Sequence, residues 1–451
     1  MPDRALGASH AALLRGGGAI PAPKSARGLL WDAFMSGYER DATGHACLGG
    51  TRLSTLLEQA HVPTPAYVYD LDAIADSTRQ LVAGFAGHRH VVAYAVKANT
   101  AGSVVRTVVD AGGGADTVSG GELTVALGAG APGDRIVMSG VAKLDWELDR
   151  AIDAEIRAIQ LESVEEIPRV AARARALGKR ARVGVRVNPD VDIDSHAHIA
   201  TGHDEAKFGI VRSDLGSALD HIRREKSLDL VGVSTHVGSM LATVEPYLES
   251  AAVVCDVAQA WMAQGVNLDF VDFGGGFGTD YGGGPVTAPA EFVRVSLKLM
   301  SERGLQALAL IVEPGRALVA SHGVLIASVV QGKQTSARRF CLLDAGMNDL
   351  IRPALYQARH RVEPLDRPPR APAYQVVGPV CESADDFGVH ELGEPLPARV
   401  VIRDAGAYGF TMASVYNGRP LAAEVFVRDG KVVHLSPSTG VDAWVDARMK
   451  A

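Results

Sequence analysis

Lys97, in Tyr94-Ala95-Val96-Lys97-Ala98-Asn99, closes an apolar run that begins at Val91. A buried strand seldom ends in an ammonium group that nothing uses. Burial disfavours the charged form, and a lysine with a depressed pKa is a nucleophile able to form a Schiff base with an aldehyde. The plainer alternative is a lysine snorkelling from a strand end to water.

Other strand ends carry complementary groups. Asp272-Phe273-Gly274-Gly275-Gly276-Phe277-Gly278 runs a strand into a glycine loop. Backbone N–H groups at Gly274, Gly275 and Gly276 can approach an anion closely, which suits a phosphate; a tight strand-to-helix turn is the alternative. A dinucleotide fingerprint fits poorly, because its third glycine falls on Thr279 or Tyr281. Glu313-Pro314-Gly315-Arg316 ends another apolar strand. A carboxylate there can keep a pyridine nitrogen protonated and make the ring an electron sink, with Gly315 and Arg316 facing phosphate or a substrate carboxylate. A surface Glu–Arg pair is the alternative.

His236, in Thr235-His236-Val237-Gly238-Ser239, also follows a strand. Its imidazole can stack on a flat ring while Ser239 bonds phosphate, or it is a satisfied core histidine. Arg352 and Tyr356 stand four residues apart in Asp344–Tyr356. On a helical turn both point one way, which suits bidentate capture of a carboxylate. Val380-Cys381-Glu382-Ser383 sets a thiol beside an acid, and the thiol is either a proton donor or inert core. Two tyrosines, Tyr408 and Tyr416, lie in turn-rich surroundings; Tyr416 can donate to a phosphate oxygen or serve as an interface aromatic.

Repeated strand–helix units must position these groups. Apolar runs at Val91–Val96, Asp116–Ser119, Arg135–Ser139, Ala158–Leu161, Arg182–Val187, Leu230–His236, Leu268–Phe273 and Leu308–Val312 alternate with helical stretches such as Ser163–Leu177 and Val244–Ala263. Apolar strands alternating with helices imply a parallel sheet covered on both faces. Eight units fit a (β/α)8 barrel, or TIM barrel, better than an open sheet, and the polar motifs cluster after strands, where a barrel carries its site. After about Ala320 the runs Val324–Val330, Phe340–Asp344, Tyr374–Val377, Ala398–Arg403, Ala422–Val427 and Lys431–Leu435 predict a second, β-rich domain. The expected organisation is an extension over 1–30, a segment over 31–66 packing with the β domain, a barrel over 67–318 and the β domain over 319–451.

Composition narrows the function classes. At 451 residues and a formal net charge of -7, the chain has no basic surplus for nucleic acid. Its four cysteines are far apart and form no CxxC pair, so no metal site is expected. No apolar stretch approaches the roughly 20 residues that span a bilayer. The Ala- and Gly-rich start reads as a disordered extension or a weak transit-like segment, and cytoplasm is the default location.

Together, YAVKAN, KFGI at Lys207–Ile210, DAGMNDLIRPALY, GPVCES and YNGRP make the chain resemble the alanine-racemase-like, barrel-type pyridoxal phosphate decarboxylases from about Leu53 to Val427. The resemblance implies pyridoxal 5'-phosphate held covalently by Lys97, with His236 on its ring and Glu313 at its pyridine nitrogen. It places Ser239, Gly274–Gly276 and Tyr416 on the phosphate, and Arg316, Arg352, Tyr356 and Glu382 on an amino-acid substrate. Cys381 becomes the proton donor, reaching with Glu382 into a neighbouring subunit's site in an obligate homodimer. A substrate with a distal carboxylate and ammonium matches two arginines and an acid, so the implied reaction is meso-2,6-diaminopimelate to L-lysine and carbon dioxide. Decarboxylation of ornithine, lysine or a carrier-linked amino acid, or racemisation on the same scaffold, are the competing expectations. The chain departs from the family at Ser321-His322 and Val415.

Overall fold

The computed structural model describes residues 37–191, 207–284 and 286–450. Eight parallel strands close a barrel in chain order: His90–Ala95, Gly114–Thr117, Ile136–Met138, Ala158–Leu161, Ala181–Arg186, Leu228–Ser234, Phe270–Gly275 and Ala309–Glu313. Each of the eight apolar runs falls on one of them, displaced by a residue or two at the ends. Most of the intervening helices are amphipathic, as at Glu166–Ala176, whose Ile167, Val170, Ala171 and Ala174 are buried.

The barrel interior changes character along its axis. Val91, Ala93, Val137, Ala158, Phe270, Ala309 and Ile311 form a separate apolar cluster. Side chains of a strand alternate between faces, so the next inward positions are Ser139, Gln160, Asp272 and Glu313. Gln160 Nε2 reaches Asp272 Oδ2 at 3.5 Å across non-adjacent strands. Gly184 makes room for it, since a Cβ there would collide with the Gln160 carboxamide. The strands thus pass from a greasy plug to a polar floor just below the loops.

The second sheet runs Asp386–Glu391, Ala373–Val377, Arg339–Leu343, Gly323–Gln334, Ala66–Asp70, Ala423–Arg428, Lys431–Ser436. Arg399–Ile402 also pairs with Gly323–Gln334 and carries the short strand Val362–Pro364. The expected barrel boundary at residue 67 needs correction. Ala66–Asp70, fully buried and followed by the helix Leu71–Ala83, reads locally as a first barrel unit. It pairs instead with Gly323–Gln334 and Ala423–Arg428, deep in the second sheet. Before it, a three-stranded sheet (Tyr38–Arg40, Ala46–Leu48, Thr51–Arg52) and the helix Leu53–Ala60 bury Leu48, Leu53 and Leu56 beside Val68, Val324, Ile326 and Val425. The expected extension over 1–30 lies outside the described residues. Among the described residues, no helix is long and apolar enough to cross a membrane.

Candidate active site

A cavity of about 660 Å³ opens over the C-terminal ends of the barrel strands. Lys97, His236, Ser239, Gly276, Glu313, Gly315, Arg316, Arg352 and Tyr356 all line it. Gly274 and Gly275 lie behind this lining, and Gly275 pairs with Glu313 in the barrel.

Lys97 sits in one 3-10 turn, Val96–Ala98, directly after its strand. The rest of its motif joins the two domains. Asn99 Nδ2 donates to the Gly406 carbonyl at 3.1 Å, and the Tyr408 N–H donates to the Ala98 carbonyl at 2.7 Å. Tyr94 Oη donates to the Asn99 carbonyl at 3.0 Å, completing the clasp.

Lys97 Nζ lies 3.4 Å from Asp116 Oδ2. The expectation of a depressed lysine pKa is corrected here. Burial does work to lower it, but the charges of Asp116, Tyr408 and Glu313 outweigh burial, and the net shift is upward. The amine therefore waits as an ammonium ion. Asp116 is itself fully buried, and burial together with nearby Glu313 pushes its carboxyl up to about 7.

Three more titratable groups form the floor. His236 Nδ1 lies 3.4 Å from Glu313 Oε2, with the Gly275 N–H at 3.3 Å. Burial pulls His236 below the usual imidazole range, so it is neutral at pH 7. Burial would raise Glu313, but the hydrogen bond from His236 and the charge of Lys97 leave it below the usual carboxylate range. Asp272, hydrogen-bonded to Glu313 and to the Gly274 N–H at 2.9 Å, is pushed well up by burial and by Glu313. Ionising a second buried carboxyl beside Glu313 costs on the order of several kcal/mol. Glu313 keeps the charge and Asp272 keeps the proton.

The opposite wall is cationic and aromatic. Arg316, only 7% exposed, donates to Tyr281 Oη at 2.9 Å and to Ser239 Oγ at 3.2 Å, and stacks on Tyr408 at 4.7 Å. Arg352, 4% exposed, stacks on Tyr281 at 4.5 Å. The segment Arg352–Tyr356 is helical, so Arg352 and Tyr356 do face one cavity. Arg186 lines it as well, stacking on Phe208 at 4.9 Å and donating to Glu162 Oε1 at 3.0 Å. Glu162 also accepts the Gly140 and Gly209 N–H groups, at 2.8 and 2.9 Å, which ties the Lys207–Ile210 motif to the rim.

Three predicted residues are not brought together with these. Cys381, Glu382 and Tyr416 are exposed and form their own cluster. Tyr416 Oη donates to Glu382 Oε1 at 2.6 Å, and the Cys381 N–H donates to Asn417 Oδ1 at 2.9 Å. Buried Asp385 fixes this turn by accepting the Met347 and Val380 N–H groups at 2.6 and 2.7 Å. The expectation that Tyr416 reaches the phosphate is not met within one chain. The tyrosines that line the cavity are Tyr281, Tyr356 and Tyr408.

Sequence reasoning missed Arg186, Tyr281 and Tyr408 as cavity groups, and Asp116 behind Lys97. Asp116 and Arg186 carried a usable signal, a charge on a β-branched barrel strand. Tyr281 and Tyr408 carried none, for long-range contacts place them.

The comparisons with known proteins agree with this geometry. Residues 71–320 match the family described as "Pyridoxal-dependent decarboxylase, pyridoxal binding domain". The diaminopimelate decarboxylase of Zymomonas mobilis is 39% identical over 82% of this chain and 89% of its own length. That of Neisseria meningitidis serogroup A is 39% identical over 82% and 91%. Among solved structures, diaminopimelate decarboxylase from Helicobacter pylori, complexed with L-lysine, superposes with a TM-score of 0.82 at 35% identity, covering 88% of this chain and all of that one. The M. jannaschii enzyme in co-complex with L-lysine gives 0.85 at 30% identity over 92% and 98%. By the family match over residues 71–320 and by these identities and coverages, the chain belongs to the diaminopimelate decarboxylase family of pyridoxal-dependent decarboxylases.

Proposed function

We propose that this protein decarboxylates meso-2,6-diaminopimelate to L-lysine and carbon dioxide with pyridoxal 5'-phosphate, as a cytoplasmic homodimer whose sites are shared. The observation that carries the reading is the pair of buried guanidiniums, Arg316 and Arg352, in the same cavity as Lys97. A substrate with a second carboxylate explains why a desolvated Arg352 stands beside Arg316; a purely basic amino acid would leave Arg352 uncompensated.

The residues fit the cofactor. A Cβ on Gly276, at φ +87°, would collide with the Gly238 carbonyl, so only glycine keeps this loop open to an anion. Arg316 Nε is buried without a partner among the described residues. Lys97 would hold the aldehyde carbon, His236 one ring face, Glu313 the ring nitrogen, and Ser239, Gly276, Gly315, Arg316 and Tyr408 the phosphate side. When bound, pyridoxal phosphate supplies an electrophilic carbon for amines and a protonated ring that accepts the electron pair left as carbon dioxide departs.

The chain's own groups divide the remaining work. Lys97 must lose a proton before it can attack, and Asp116 is the adjacent carboxylate. Glu313, ionised above a neutral Asp272, holds a proton at the ring nitrogen. Arg316, Arg352 and Tyr356 orient the substrate by its distal carboxylate. The Cys381 thiol then delivers a proton to Cα from the partner subunit, with Glu382 beside the distal ammonium. Support for the shared site is that Cys381 lies outside its own chain's cavity lining.

Assay of the purified protein tests the reading. Carbon dioxide and L-lysine from meso-diaminopimelate support it. Gas only from ornithine, lysine or a carrier-linked amino acid reassigns the substrate, and Cα scrambling without gas assigns racemisation.

A further inference from the structure

His360 is not itself part of the cavity lining and belongs to none of the motifs assigned above, yet it is 2% exposed and sits directly behind Arg352. Its Nδ1 lies 2.9 Å from the Arg403 carbonyl and its Nε2 lies 2.7 Å from Arg352 Nη1. These partners fix the tautomer. A carbonyl can only accept, so Nδ1 carries the hydrogen; a guanidinium can only donate, so Nε2 is a bare acceptor. An imidazolium could not make the second bond. Burial, with Arg352 next, pushes the imidazole down to about 3, which agrees with a ring that stays neutral.

The ring also meets Tyr281 edge-on, at 5.1 Å between centroids and 69° between planes. Tyr281 is the ring on which Arg352 stacks. Arg352 is thus gripped at Nη1 by an acceptor and over its face by an aromatic ring, while its buried Nε has no partner among the described residues. With Nη1 tied back to His360, the edge left for two-point capture of a carboxylate is the one formed by Nε and Nη2.

We infer that His360 is a positioning residue that sets substrate selection, its bare Nε2 aiming the Nε edge of Arg352 at the distal carboxylate. The inference rests on the proposed role of Arg352. Arg352 has five donors and a flexible stem; without the acceptor behind it, the guanidinium can rotate about its stacked face and lose the two-point geometry.

The test uses full-length holoenzyme and steady-state carbon dioxide release from meso-diaminopimelate, with cofactor absorbance recorded for every variant. His360→Gln places a carbonyl oxygen where Nε2 was; His360→Asn cannot reach it. Losing a hydrogen bond to a charged group predicts KM for His360→Asn raised ~10- to 100-fold, with kcat within about threefold. His360→Gln should return KM to within about fivefold of the parent. If His360→Asn leaves KM unchanged, or if kcat and cofactor content fall together in both variants, His360 is only a packing residue and the inference is overturned. Arg352→Gln separates the two levels. A KM unchanged by Arg352→Gln removes the assigned role of Arg352 itself, whereas a raised KM beside a normal His360→Asn removes the inference alone. Should His360→Asn not fold, failure of His360→Gln to hold KM near the parent value still overturns it.

Discussion

The barrel mouth and the Cys381 turn solve opposite problems. At the mouth, Glu313, Arg316 and Arg352 are taken out of water and gathered with a half-buried Lys97 around one cavity. Each pKa there belongs to the group's neighbours as much as to itself. At the turn, Cys381, Glu382 and Tyr416 stay in water, with Tyr416 bonded to Glu382 and the Cys381 N–H to Asn417, while buried Asp385 fixes the backbone beneath them. On the proposed function, the cavity binds the cofactor and protonates its ring while the proposed proton donor, Cys381, stands elsewhere on the chain. That separation is what a site completed by a second copy requires, and it can be broken experimentally.

Removing Lys97 should have the largest effect. Lys97→Ala is expected to lose turnover on the order of 10⁴-fold, and borohydride should no longer label the protein with cofactor. Retention of the label would move the anchor to another lysine.

Cys381→Ala should slow turnover by ~10²-fold and leave cofactor absorbance intact, as for loss of a positioned acid. Mixing the two inactive proteins sharpens the contrast between the regions. Random exchange between homodimers makes about one site in four fully wild-type, so activity should recover to ~25% of the parent. No recovery after subunit exchange would mean that each chain completes its own site.

Asp116→Asn probes coupling inside the mouth, with a smaller effect and a definite sign. Asp116 titrates at about 7. At pH 8 it is mostly ionised and holds the Lys97 ammonium; at pH 6 it is mostly neutral and holds it less. Removing the charge should therefore speed capture of pyridoxal phosphate by the apoenzyme about threefold to tenfold at pH 8, with little change at pH 6. Stopped-flow absorbance measures this, and equal effects at both pH values would uncouple the pair.

Much of the mouth was legible in the sequence because barrel strands impose it. An apolar run that stops at a charged or glycine-rich residue places that residue on the loop face, so Lys97, His236, Glu313 and Arg316 could be read locally. What could not be read is pairing. Ala66–Asp70 has the composition of a barrel strand, and only its partners at Gly323–Gln334 and Ala423–Arg428 place it in the other sheet. The direction of the Lys97 shift was misjudged for a similar reason. Burial of one strand end is visible in sequence, but the carboxyls at 116 and 313 that outweigh it come from other strands. Asp386–Glu391 escaped notice because Gly388 interrupts it at φ +94° and Val389 is 64% exposed on an outer strand.

The two tyrosines make the finest test of the comparison. Both sit in glycine-flanked turns, and nothing local separates them. The Tyr408 N–H is held by the Ala98 carbonyl, next to Lys97, and its ring lies under Arg316. Tyr416 is 46% exposed and bonded to Glu382. Tyr408→Phe should weaken cofactor retention about tenfold, the scale of one hydrogen bond near a charged group. Tyr416→Phe should leave cofactor retention unchanged and raise KM only about two- to fivefold, since Glu382 is water-exposed and loses a single partner. Equilibrium dialysis of cofactor from each variant distinguishes them. If Tyr416→Phe sheds cofactor and Tyr408→Phe does not, the phosphate side is built across the subunit boundary as well, and the mouth is no more self-sufficient in binding its cofactor than in moving the final proton.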